Sequence, residues 1–291
     1  MTDAPPEGLL APELLARLER LQLGTRRRLA GAFSGEHRST RHGSSLDFAD
    51  YREYNPGDDF RRIDYVAWAR LDQLLIRLFE AEDDLTLRLL VDTSSSMRGP
   101  KLRQAARIAA ALGFVALVRR DIVTLHTFPL GRPAPRFTGR HAAHTLFSML
   151  EGLEADGDTR FASAVTDLLS RPGPRGLTVV LSDLLTPEWS EGLTRLPARG
   201  GDVTVVHVLD PGELHPDLSG DLDLVDAETG RVVSVSLAPE QVKQYEQAAA
   251  AWADDVADRA SYVGAAYVRV LSDDDIEPLV LGSWREAGVL R

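Results

Sequence analysis

Residues 87–101 read LRLLVDTSSSMRGPK. An apolar run from Leu87 to Val91, broken only by Arg88, stops abruptly at Asp92. Ser94 and Ser96 follow at alternate positions. A helix-like pattern then starts near Pro100, a residue favoured in the first turn of a helix. A buried strand that feeds a polar loop and then a helix is where open α/β sheets place their ligands. In an extended or turning loop, residues i, i+2 and i+4 can project toward one point. One carboxylate and two neutral hydroxyls around a common centre make a hard, oxygen-only set of low charge. Such a set suits Mg²⁺, which keeps several waters and usually takes only one or two carboxylates. The alternative is a capping and turn network with no metal.

Downstream of this stretch the chain alternates strands and helices. The pattern predicts strands at Thr86–Val91, Ile122–Phe128, Leu177–Leu181, Val203–Leu209 and Ala266–Leu271, with a short edge strand at Arg136–Thr138. It predicts helices at Lys101–Arg119, His141–Leu150, Ala162–Leu169, Pro187–Leu196, Pro239–Arg259 and Asp274–Glu286. Leu177–Leu181 is an unbroken apolar, β-branched run, as expected of a strand covered on both faces. The fold class is therefore α/β, a doubly wound and mostly parallel sheet. Leu222–Ser236 interrupts this order: two alternating runs flank Ala227-Glu228-Thr229-Gly230, a hairpin turn.

The N-terminal part reads differently. Pro12–Leu29 carries leucines at near-helical spacing and a local excess of arginine, Arg17, Arg20 and Arg26 to Arg28. Residues 34–45 are a polar loop whose His37 and His42 have no metal-binding carboxylate arrangement near them in sequence. Leu46–Tyr54 alternates like a strand, Asn55-Pro56-Gly57-Asp58 is a turn, and Leu74–Glu80 is a second strand. Between them, Arg61 and Arg62 beside Asp58, Asp59 and Asp64 suggest an ion-pair network. The expected division is an accessory region, residues 1–84 together with the hairpin at 221–236, and an α/β domain at 85–291. In that scheme the hairpin pairs with the N-terminal strands.

An ion held by Asp92, Ser94 and Ser96 needs further oxygens, and two later stretches offer them. Thr159, in Gly157-Asp158-Thr159, sits in a loop opening a helix; Asp183 closes a strand at its carboxyl end. If the strands ending in Asp92 and Asp183 are neighbours at the point where strand order reverses, the two carboxylates meet there.

Bulk properties narrow the function. The 291 residues are 44% hydrophobic and 26% charged, an ordinary globular composition. A net charge of −11 argues against nucleic acid or an anionic membrane as partner. With no cysteine, disulfides, thiol catalysis and thiolate zinc sites are excluded. The start of the chain lacks the basic and apolar regions of a signal peptide, and the longest apolar run, Ile108–Val118, is about half a membrane span. The expectation is a cytoplasmic protein with no membrane span.

The motif DTSSSM, residues 92–97, resembles the Asp-x-Ser-x-Ser signature of von Willebrand factor A domains. The segment YREYNPGDDFRRIDYVAWAR, residues 51–70, resembles the DUF58 family, with Tyr65 where that family is expected to carry Trp. Together the resemblance covers roughly residues 30–285. It implies a metal-ion-dependent adhesion site built from Asp92, Ser94, Ser96, Thr159 and Asp183, holding Mg²⁺ or Mn²⁺ with a position open to a partner's carboxylate. Arg160 follows Thr159 where the family often has Asp. The resemblance further implies association with a MoxR-type AAA+ ATPase.

Two readings of function follow. The first is a non-enzymatic, metal-dependent protein-binding module, an adaptor of such an ATPase or of its clients. No G-x-x-x-x-G-K-[ST] motif is present, so the chain lacks that route to an ATPase activity of its own. The second is a Mg²⁺-dependent phosphoester hydrolase using the same site, with His126 or His207 as base. Both histidines fall inside expected strands, and Ser94 to Ser96 lack the flanking glycines of a nucleophile elbow.

Overall fold

In a computed structural model of the chain, the described residues are 8–24, 46–55, 58, 60, 63–81, 85–129, 134–286 and 288–290. They fall into two units: residues 30–84, and residues 1–29 together with 85–291.

The larger unit is built on a six-stranded sheet. Its strands are β3 (Thr86–Asp92), β4 (Ile122–Phe128), β5 (Arg136–Thr138), β6 (Gly176–Ser182), β7 (Gly201–Leu209) and β10 (Ala266–Leu271). The spatial order is β10-β7-β6-β3-β4-β5. Every neighbouring pair is parallel except β4 and β5. All seven residues of β3 and all seven of β6 are buried, which explains their continuous apolar sequence.

Alternation along the strands divides the core between the two faces of the sheet. Leu87, Leu89 and Val91 pack with α1 (Pro12–Leu18), α3 (Pro100–Val118), α4 (Ala143–Glu151) and the C-terminal segment around Val280 and Trp284. Leu90, Val180 and Val205 pack with α5 (Phe161–Ser170), α6 (Trp189–Arg195) and α7 (Pro239–Tyr262). The strand order reverses between β3 and β6, whose partners run from Thr86 opposite Gly176 to Val91 opposite Leu181. A crevice outside the carboxyl ends of these two strands is thereby defined.

Several boundaries differ from the sequence expectation. The N-terminal helix is short, Pro12–Leu18, and its Leu14 and Leu18 are buried in the α/β core. It belongs to the α/β unit and not to an accessory region. The expected closing helix is broken into a turn at Ile276–Pro278, a π-helical stretch at Leu279–Ser283 and a last turn at Trp284–Glu286. The hairpin, β8 (Gly220–Val225) with β9 (Val232–Leu237), forms a two-stranded sheet of its own among the described residues. It also falls in the α/β unit.

In the smaller unit, β1 (Leu46–Glu53) pairs antiparallel with β2 (Leu75–Ala81). Asp64 caps α2 (Tyr65–Leu71), accepting hydrogen bonds from the Val66 and Ala67 amides, and also accepts from the Tyr51 hydroxyl at 2.7 Å. Asp58 pairs with Arg52 at 2.9 Å. The rest of the anticipated ion-pair network, Asp59, Arg61 and Arg62, lies outside the described residues, as do His37, His42 and Arg26 to Arg28.

Candidate functional site

Three loops meet at the carboxyl ends of β3 and β6. The first, Thr93 to Gly99, runs from β3 through a short 3₁₀ turn at Ser95–Met97 into α3. Gly99 adopts φ +80° and ψ −126°, a conformation that suits only glycine, and lets Pro100 start the helix at once. The second loop, residues 156–160, is stitched to the first by two backbone hydrogen bonds. Ser95 N donates to Gly157 O at 2.9 Å, and Asp156 N donates to Thr93 O at 2.8 Å. Gly157 turns here with φ +81°, and a Cβ at that position would meet Pro129 at 3.2 Å. The third loop starts at Asp183, directly after β6.

Asp92, Ser94 and Asp183 are fully buried, Thr159 nearly so, and Ser96 half-buried. Asp92 Oδ1 accepts from the Ser94 amide at 2.9 Å, and Asp92 Oδ2 accepts from the Ser182 hydroxyl. The Ser94 and Ser96 hydroxyls lie 3.0 Å apart. Asp183 Oδ1 accepts from the Leu185 amide at 3.1 Å, and Asp183 Oδ2 from Lys101 Nζ at 2.8 Å. Lys101 also pairs with Glu213. Thr159 donates its hydroxyl to Glu228 Oε1 at 2.6 Å and its amide to the same oxygen at 3.0 Å. Asp92 thus ends β3, Ser94 and Ser96 stand on the first loop, Thr159 on the second and Asp183 at the start of the third; the first two loops are joined by backbone bonds and β3 to β6 by the Ser182–Asp92 bond, while the Thr159 hydroxyl is given to Glu228.

Charge is unevenly balanced in this site. Burial, and after it the nearby Asp183 carboxylate, pushes the Asp92 carboxyl up to about 7, against the hydrogen bonds from Ser182 and Ser94. Burial alone would lower the Lys101 ammonium, but the Asp183 and Glu213 carboxylates more than offset this and hold it above its ordinary range. Asp183 therefore has a cation partner. Among the described residues Asp92 has none.

The donors suit a small hard cation. Asp92 is a buried carboxylate without a counter-charge among the described residues, a costly state that a divalent ion relieves. The hydroxyls of Ser94, Ser96 and Thr159 add neutral oxygens of the kind Mg²⁺ accepts. Among the described residues no three His, Asp or Glu side chains are grouped as metal chelators, so such an ion depends on the hydroxyls.

His207 sits beside this site. Its Nε2 lies 3.0 Å from the Asp183 carbonyl, which can only accept, so Nε2 carries the hydrogen; Nδ1 faces the Tyr267 hydroxyl at 2.9 Å. Burial pushes its pKa down to about 4. The ring also meets Trp252 edge-on. His126 hydrogen-bonds Thr124 at 3.2 Å and lines a cleft of about 240 Å³ with Phe128, Arg160 and Arg171.

Lys101, Ser182, Glu213 and Glu228 escaped the sequence reading. Lys101 left a signal: a lysine in the first turn of a helix opposes the helix dipole and calls for a specific anionic partner. Ser182 was visible as the residue before Asp183. Glu228, in a hairpin turn, looks in sequence like any solvated turn carboxylate.

A mostly parallel six-stranded sheet, with a buried carboxylate–hydroxyl cluster beside the point where strand order reverses, defines an α/β protein. A family model described as "Protein of unknown function DUF58" matches residues 50–255, and the chain belongs to that family. Uncharacterized proteins of Mycobacterium tuberculosis and Mycobacterium bovis are 32% identical to it over 283 residues, covering 91% of this chain and 86% of theirs. A solved structure titled as an aerotolerance-related membrane protein of Bacteroides fragilis aligns with TM-score 0.43 and 18% identity, covering 70% of this chain and 98% of that one. The conserved hypothetical protein BatB of Bacteroides thetaiotaomicron aligns over the same shares with TM-score 0.40 and 15% identity. Among the described residues no helix is long and apolar enough to cross a membrane.

Proposed function

We propose that this chain is a non-enzymatic, metal-dependent protein-binding module with a von Willebrand factor A-like α/β domain. Asp92, Ser94, Ser96, Thr159 and Asp183 would hold Mg²⁺ or Mn²⁺. When bound, the ion supplies a Lewis-acidic position that a carboxylate from a partner protein can fill. The partner we favour is a MoxR-type AAA+ ATPase or one of its clients, an association implied by the resemblance of residues 51–70 to the DUF58 family and of residues 92–97 to von Willebrand factor A domains.

The observation that carries this reading is Asp92: fully buried, next to a second carboxylate, and without a cation partner among the described residues. The chain's own groups prepare the position. Ser182 and the Ser94 amide orient the Asp92 carboxylate, and Lys101 takes up the charge of Asp183. Total charge at the site is thus kept low enough that an ion there still seeks another anion.

The hydrolase alternative finds less support. A histidine acting as general base must reach the reacting group with a free ring nitrogen. His207 has both ring nitrogens engaged by Asp183 and Tyr267, and the His126 ring is engaged by Thr124 and flanked by the cations Arg160 and Arg171 in its cleft.

The test is thermal unfolding with and without millimolar Mg²⁺ or Mn²⁺. The expected result is a stabilised wild type, by about 2.7 kcal/mol at a hundredfold excess over Kd, and no response in Asp92→Asn. A wild type that ignores both metals removes the reading.

A further inference from the structure

The β8–β9 hairpin delivers a carboxylate to this site from 69 residues along the chain: Glu228 Oε1 accepts both the Thr159 hydroxyl and the Thr159 amide. Two donors of one residue on one oxygen is a directed contact, not a passing one. The turn that presents Glu228 is built for the purpose. Asp226 Oδ1 accepts from the amides of Glu228 and Thr229, at 3.1 and 2.6 Å, and from the Thr229 hydroxyl at 2.7 Å. The Gly230 amide closes the turn on Asp226 O at 2.9 Å, with Gly230 at φ +70°. The backbone of the tip is therefore held stiff by its own hydrogen bonds.

The rest of the hairpin is weakly anchored. No residue of β8 or β9 is buried. Val225 and Val232 are 64% and 56% exposed, so little apolar burial holds the hairpin down. Elements with few buried apolar contacts open at low free-energy cost. A stiff tip on a loosely held arm, carrying the same chemical group that the site is expected to receive, has the form of a removable plug.

We propose that Glu228 is the site's own carboxylate ligand, and that an acidic segment of a partner protein binds by displacing the hairpin tip from Thr159. This rests on the metal-dependent binding reading above and names how that site is regulated. The hairpin and the partner compete for one position, so the free protein is held in a self-liganded state. The contact also selects the ligand class: Thr159 presents a hydroxyl and an amide, both donors, to an incoming group, and a carboxylate accepts both while an ammonium accepts neither.

The experiment compares full-length wild type with Glu228→Ala, a change at a half-buried turn position that leaves the core intact. Hydrogen exchange over residues 156–160, in EDTA, reads docking of the tip directly: the Thr159 amide exchanges faster in the variant. In Mg²⁺, the probes are acetyl-Gly-Glu-Gly-amide and its Gln counterpart, titrated by NMR. A tip docked about nine-tenths of the time raises the apparent Kd about tenfold, so the variant binds the Glu peptide about tenfold more tightly. The Gln peptide shows no such gain. Unchanged exchange at Thr159, or equal Glu-peptide binding by the two proteins, overturns the proposal. If Mg²⁺ stabilises wild type while either of those results is found, only the plug is lost. If Mg²⁺ fails to stabilise wild type, the metal reading falls and the proposal falls with it.

Discussion

Replacing Lys101 by Met tests the electrostatic frame of the site most directly. Lys101 Nζ lies 2.8 Å from Asp183 Oδ2, and the two side chains are 3% and 0% exposed. Methionine keeps most of the aliphatic volume and removes the charge. Asp183 then remains in the interior without its cation, close to Asp92, which is already pushed up to about 7. Breaking a buried pair by deleting one partner costs about 3–5 kcal/mol, because the remaining charge is uncompensated. That is a large part of the roughly 5–15 kcal/mol that holds a domain together. Glu213, whose side chain is 39% exposed, contributes far less, and Glu213→Gln is expected to cost within about 1 kcal/mol.

The assay is urea unfolding at pH 7.5 in EDTA for Lys101→Met, Asp183→Asn and the double variant. With both charges gone no unpaired carboxylate is left by this pair, so the double variant is expected to lose about 2–3 kcal/mol less than the sum of the two single losses. Mg²⁺ should stabilise Lys101→Met more than wild type, since an added cation replaces the missing charge. A cost under about 1 kcal/mol for the single change, or strictly additive losses in the double, would refute the claim that the pair is buried and coupled.

Two further predictions concern pH. Asp92 binds its proton more tightly folded than unfolded, so in EDTA its contribution to stability is present at low pH and is lost as pH rises from about 4 through 7. The shift of roughly three units corresponds to at most about 4 kcal/mol, and urea melts from pH 4 to 8 should show a flatter profile for Asp92→Asn than for wild type. His126 has the opposite linkage. Burial, followed by Arg171, Arg88 and Arg199, pushes it down to about 4, so stability is full above the unfolded value of 6.5 and lost as pH falls toward 4. Being only partly buried, it contributes at most about 3 kcal/mol, and His126→Gln should reduce the acid sensitivity measured by the same melts.

Much of the α/β unit was legible in the sequence, because strand burial on both faces leaves an uninterrupted apolar signature. Leu177–Leu181 could be read as a central strand from its side chains alone, and the one expected edge strand, Arg136–Thr138, lies where the preceding prolines placed it. The loop after Val91 was legible for a similar local reason: a carboxylate and two hydroxyls at alternate positions follow one strand without needing any other part of the chain. Asp183 was readable at one remove, since strand adjacency at a switch point follows from the order of βα units.

The partners of those side chains were not legible. Lys101 meets Asp183 across 82 residues and Thr159 meets Glu228 across 69, and no local periodicity encodes such pairings. The short N-terminal helix could not be assigned to a unit either, because a stripe of leucines says that a face will be buried but not against what. Sequence by itself determined the strands of the central sheet, most of the helices between them and which loop ends carry oxygen donors, because these depend on neighbours along the chain. Only the tertiary structure decided which charge neutralises Asp183, which leaves Asp92 without a cation among the described residues, and that a hairpin carboxylate rests on Thr159. Those outcomes depend on how far-apart elements pack, and packing is settled by the whole core at once.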